Sequence, residues 1–138
     1  MKVLGVDGDV NLIMGISLIE DEKLIKFEIV QGLDEVMKLI NKENVDLVKV
    51  NTVGFWQVIY KKITYEVGTN AIVKCVKINR EEEHKGIEKI IKIDLWDLIQ
   101  NNIQIDYSGK FKIKINTMNY KDVTKIMSLI TALSENYY

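Results

Sequence analysis

The feature that most constrains this chain is its first strand. Lys2 to Asp7, KVLGVD, is apolar on both faces until it ends in an acid. A strand of that kind lies inside a sheet that is covered on both sides. Gly8-Asp9-Val10-Asn11 then supplies turn chemistry, and LIMGISLIE predicts a second strand. After the short polar Asp21-Glu22-Lys23, LIKFEIV predicts a third. Short connections favour antiparallel neighbours, so residues 2–30 predict a three-stranded meander.

The pattern then changes period. LDEVMKLINKEN sets Leu33, Val36, Leu39 and Ile40 on one helical face, with Asp34 and Glu35 in the first turn, where the helix dipole favours acids. VDLVKVNT reads as a buried strand, and reaching it through a helix implies parallel pairing. A helix from about Phe55 to Glu66 carries Trp56, Ile59, Tyr60 and Ile63 on one stripe, and Gly68 ends it. AIVKCVKI is the fifth strand. Residues 80–101 predict one helix, with Gly86 and Ile93 as its weak points. Ile103 to Tyr107 and Lys110 to Ile115 alternate strictly around Ser108-Gly109, which predicts a hairpin. A last helix runs from Asn119 to about Glu135, with Val123, Ile126, Met127, Ile130 and Leu133 buried. Together these predict one α/β domain over residues 1–138, a mixed sheet with helices on both faces and an added hairpin.

Composition narrows the function classes. No apolar run approaches the roughly 20 residues that span a bilayer, and the N-terminus turns acidic at once, unlike a signal peptide. Cys75 is the only cysteine, so no intramolecular disulfide or cysteine-based zinc site can form, and a cytoplasmic setting is expected. Net charge is −1, so nucleic-acid binding needs a local patch. Arg80 stands alone among lysines, which argues against bidentate reading of bases. Lys110, Lys112 and Lys114 share one face of the hairpin, either a solvated edge or a strip that tracks phosphates. His84 follows Glu81, Glu82 and Glu83 and reads as an acid-rich helix start rather than a metal site. The chain carries no Ser-His-Asp set, P-loop, dinucleotide fingerprint or zinc pattern.

Three segments, LGVDGDVNLIMGISLIE, VDLVKVNTVGF and NYKDVTKIMSLITAL, resemble the ribonuclease H-like superfamily, most closely RuvC-type Holliday-junction resolvases. The resemblance implies a ribonuclease H-like fold and, in an active member, two Mg²⁺ ions held by shared carboxylates. Asp7 matches the first acid, and Asn51 stands where the second is expected. Asp122 matches the first acid of the last helix, and Lys125 stands where its second is expected. Strand alternation puts Lys49 on the same face as Asn51. The formal charge of Asp7, Asp122, Lys49 and Lys125 together is zero, against about −4 for the carboxylates of an intact site. Lys49 and Lys125 are therefore expected to neutralise the acids as ion pairs, with Asp9 able to restore one charge.

The resulting expectation is a domain with a degenerate metal site and no bound cofactor, acting as a nucleic-acid-binding or interaction module. One alternative is a Mg²⁺-dependent nuclease for branched or hybrid nucleic acid, using Asp7, Asp122, Asn51 and Asp9. Another is a structural subunit without a nucleic-acid role. A homodimer is expected from the resemblance, since the family's resolvases work as dimers.

Overall fold

The computed structural model describes residues 1–8, 13–54, 56–66, 71–114 and 120–138. Asp9, Phe55, Gly68, Ile115 and Asn119, which carried expectations above, lie outside them.

The meander forms as expected. β1 (Lys2–Gly8), β2 (Met14–Glu20) and β3 (Lys23–Val30) pair antiparallel. Asp21 and Glu22 both take positive φ, 51° and 64°, so a two-residue turn joins β2 to β3 and Lys23 already belongs to β3. α1 (Leu33–Lys42) leads to β4 (Leu47–Asn51), which runs parallel to β1. α2 (Trp56–Glu66) leads to β5 (Ile72–Val76), parallel to β4. The sheet order is β3-β2-β1-β4-β5.

Two cores lie on opposite faces of this sheet. Leu4, Val6, Ile16, Val48 and Val50 pack against α1 and α2, with Ile59 and Ile63 fully inside. The other face is covered by α3 (Arg80–Lys92), the hairpin β6 (Ile103–Ile105) and β7 (Phe111–Ile113), and α5 (Tyr120–Leu133). The layers are those expected, because the apolar residues of the central strands alternate between two helix-covered faces.

One expectation is corrected. Residues 80–101 are not one helix: α3 stops at Lys92, and α4 (Trp96–Ile99) follows. Asp94 is left-handed, φ 63°, while Asp94 N–H and Leu95 N–H donate back to Ile91 and Ile90. That satisfies the last carbonyls of α3 and turns the chain. Gly86, the other weak point, sits inside α3, where an added Cβ would lie 2.6 Å from the Ile130 side chain of α5. The glycine permits the two helices to touch.

The hairpin forms its own two-stranded sheet, shorter than expected. Side chains of α3 satisfy the outer edge of β7. Phe111 N–H donates to His84 Nδ1 at 2.9 Å and Ile113 N–H to Glu83 Oε1 at 2.6 Å. His84 also stacks on the Phe111 ring, so it is a structural ligand of the hairpin. At the C-terminus, Tyr138 exchanges two backbone hydrogen bonds with Cys75 along the edge of β5.

Candidate functional site around Asp7

Alternation along β1 sends Val3, Gly5 and Asp7 toward α5. The helix comes unusually close because the strands beneath it carry almost no side chain there. A Cβ on Gly5 would lie 2.0 Å from the Ser128 carbonyl, and one on Gly15 would lie 2.4 Å from the Thr124 carbonyl. Ser17 Oγ and Ser128 Oγ hydrogen-bond at 2.7 Å between the two layers. These contacts fix the rotation of α5, and hence which of its residues meet Asp7.

Asp7 is buried, at 7% exposure, and Asn51 beside it at 2%. Asn51 Nδ2 donates to Asp7 Oδ1 at 2.8 Å. Burial pushes the Asp7 carboxyl up to about 6, while the Asn51 amide and the Gly8 backbone N–H partly oppose that rise. Asn51 Oδ1 is buried without a partner among the described residues. In this orientation the amide brings a donor, not an oxygen ligand, to the acid.

A cavity of about 310 Å³ opens beside Asp7. Among the described residues, Gly8, Val53 and Gly54 line it on the strand side, and Tyr120, Val123 and Thr124 on the helix side. Asp122 and Lys125 are not among these residues. Tyr120, Val123 and Thr124 share a helical face, and Asp122 lies about half a turn round from Tyr120. Lys125 Nζ instead lies 4.7 Å from the centre of the Phe27 ring, on β3.

Lys49 is also placed differently from expectation. It shares the face of Asn51, but its ammonium donates to the Ala132 carbonyl at 3.0 Å and the Ser134 carbonyl at 2.6 Å. It also lies over the Tyr137 ring, 4.6 Å from its centre. The reason is the negative end of α5, whose last carbonyls have no helical partners and attract cations. Lys89 donates to the Leu133 carbonyl at the same end, at 2.9 Å. Burial, then repulsion from Lys89, lowers Lys49 to about 8, opposed by Glu135. Neither expected ion pair with Asp7, from Lys49 or Lys125, is formed.

Two divalent ions need several carboxylates, and Asp7 is the one carboxylate among the described residues that line this cavity. Among the described residues no group of three or more His, Cys, Asp or Glu could hold a metal. Asp7 stands with an amide donor, a threonine, a tyrosine and valines.

Sequence reasoning missed a second, larger cavity of about 520 Å³ between α3 and the end of α5. Lys85, Lys89 and Lys92 line it together with Glu82, Glu88 and Glu135, so its charges offset one another. Glu82 already accepts from Ser134 Oγ, and Lys89 is tied to α5. The Asp7 cavity, with one buried acid and mainly uncharged walls, is the better candidate site. On the hairpin, Lys110 pairs with Glu81, while Lys112 and Lys114 form no ion pair with a described residue.

No protein-family model matches the chain, and no curated relative matches it in sequence. Solved structures do match. One is T. thermophilus RuvC in complex with a Holliday junction substrate, with TM-score 0.59 and 12% identity over 96% of this chain and 90% of that one. The fold is ribonuclease H-like. A second match is a complex of fowlpox virus resolvase with substrate Holliday junction DNA. It has TM-score 0.55 and 16% identity, over 96% of this chain and 93% of that one. At 12% and 16% identity the likeness is one of fold. No helix among the described residues is long and apolar enough to cross a membrane.

Proposed function

We propose that this chain is a cytoplasmic ribonuclease H-like domain that binds nucleic acid without hydrolysing it efficiently. The observation that carries the reading is the company Asp7 keeps. Its side-chain partner is the Asn51 amide nitrogen, and α5 contributes Tyr120, Val123 and Thr124 to its cavity rather than acids. The one carboxylate among the described lining residues does not supply the charge that two-metal hydrolysis requires. Support for nucleic acid as the partner is the ribonuclease H-like fold and its two neighbours bound to junction DNA. Lys112 and Lys114 are cations that could contact phosphates. A homodimer is part of the proposal, and sedimentation velocity tests it.

One observation favours the alternative of a Mg²⁺-dependent nuclease. Turning the Asn51 amide over would place its orphaned oxygen beside Asp7 and create a single cation site. Cleavage assays decide between the two. Labelled four-way junctions, duplexes and hybrids are incubated with the protein in Mg²⁺ and in Mn²⁺. Binding that weakens steeply with salt, without cleavage, is the expected result. Cleavage that disappears in Asp7→Ala would overturn it.

A further inference from the structure

We propose that the cavity beside Asp7 takes a single unpaired nucleobase, and guanine in preference to the others. This rests on the nucleic-acid reading above and names what that site would recognise.

The cavity excludes the commoner ligands by its chemistry. An ionised Asp7 repels phosphate, and no Lys or Arg is among the described residues that line the space. A divalent ion finds one carboxylate among the described lining residues, where it wants several oxygens. A free ammonium would exchange its water for the side chains of Val53 and Val123. What remains is a flat, mostly apolar group with N–H donors along one edge.

The geometry suits such a group. At about 310 Å³ the cavity is at the lower end for small-molecule sites, a base rather than a whole nucleotide. Gly54 leaves open space, since a Cβ there would meet nothing within 4 Å. Tyr120 is half exposed on the helix side and Val53 on the strand side, which offers a ring and an apolar surface for stacking. The Asp7 carboxylate has about four acceptor positions, of which the Asn51 amide and the Gly8 N–H take up two.

Base identity follows from donor order. Guanine presents two adjacent N–H groups on its pairing edge, which a carboxylate can accept side by side. Adenine and cytosine set one donor next to an acceptor, and that acceptor would face the acid. Thymine flanks its one donor with two acceptors. A misplaced acceptor against a buried carboxylate is the kind of mismatch that polar sites reject most strongly.

The test uses short labelled thymine oligomers with one central guanine, adenine or cytosine, read by fluorescence anisotropy. The guanine oligomer is expected to bind about tenfold more tightly than the others, the worth of a bidentate contact. Asp7→Asn should reduce that ratio to about twofold or less. Melting curves establish that the variant is folded. Tyr120→Ala, a second probe, should weaken all the oligomers together and leave the ratio intact. Binding without base preference in the wild type would overturn the base pocket and leave the proposed function standing. A guanine preference that survives Asp7→Asn would also overturn it. Failure to bind any oligomer or any junction would overturn both.

Discussion

Asn51 Nδ2 lies 2.8 Å from Asp7 Oδ1, and this contact joins the ends of two parallel neighbouring strands in the middle of the sheet. It makes Asp7 a buried acid with an uncharged partner.

Asp7→Asn should stabilise the protein at neutral pH. The folded carboxyl is raised from 3.8 to about 6, so its ionisation opposes folding. A rise of that size is worth at most about 3 kcal/mol. The asparagine oxygen can still accept from Asn51, so a gain of about 1–3 kcal/mol is expected at pH 7. For a raised acid, the stabilising contribution is full below the unfolded value and lost as pH rises through the folded one. The gain from Asp7→Asn should therefore shrink between pH 6 and pH 4 and be absent below that. Urea unfolding of both proteins across this range checks it. Equal stabilities at pH 7 would contradict the burial account.

Lys49→Met should destabilise the fold by about 2 kcal/mol, because two carbonyls at the end of α5 lose a charged donor. The same substitution made in Asp7→Asn should cost the same, within about 0.5 kcal/mol, since the two residues share no partner. A coupling well above that in the double-mutant cycle would restore the ion pair between Asp7 and Lys49.

The glycines should separate by what stands over them. Gly5→Ala and Gly15→Ala drive a methyl into backbone of α5 and should each cost about 3 kcal/mol or more. Gly54→Ala meets no atom, and its cost should be about 1 kcal/mol, from the positive φ of 51° alone. Chemical denaturation of the three variants checks the order. A milder effect at Gly5 than at Gly54 would mean that α5 does not lie where it is described.

His84→Ala should loosen the hairpin before it unfolds the domain. It removes the acceptor for Phe111 N–H and a stacked ring. Hydrogen exchange at the Phe111 amide should accelerate about tenfold, with the β1 amides unchanged. Acceleration spread evenly over both sheets would show that the hairpin is not a separate unit of stability.

Much of the fold was legible because it depends on alternation and on short connections. KVLGVD announced a strand buried inside a sheet, and Asp21-Glu22-Lys23 announced a short connection, which the structure narrows to a two-residue turn. The break after α3 was harder to read, since Ile87, Ile90, Ile91, Leu95 and Leu98 keep helical spacing through it. Of the site, Asp7 and Asn51 were set together by the resemblance alone, and their hydrogen bond joins them across β1 and β4. The placing of Asp122 was not legible. Spacing within a helix says which residues share a face but not how that face is turned, and here Gly5, Gly15 and Ser17 set the rotation. Lys49 was misread for a related reason. Its face was foreseen, but a long side chain reaches whatever acceptor lies along that face, and the end of α5 supplied one.

We propose that Asp7, which has no second carboxylate beside it among the described lining residues, is not half of a metal site. Thermal melting of wild type and Asp7→Asn with and without millimolar Mn²⁺ tests it most directly. If Asp7 holds no metal, added Mn²⁺ shifts both midpoints by the same small amount. A wild-type midpoint that rises by several degrees in Mn²⁺, while that of Asp7→Asn stays put, would contradict the account.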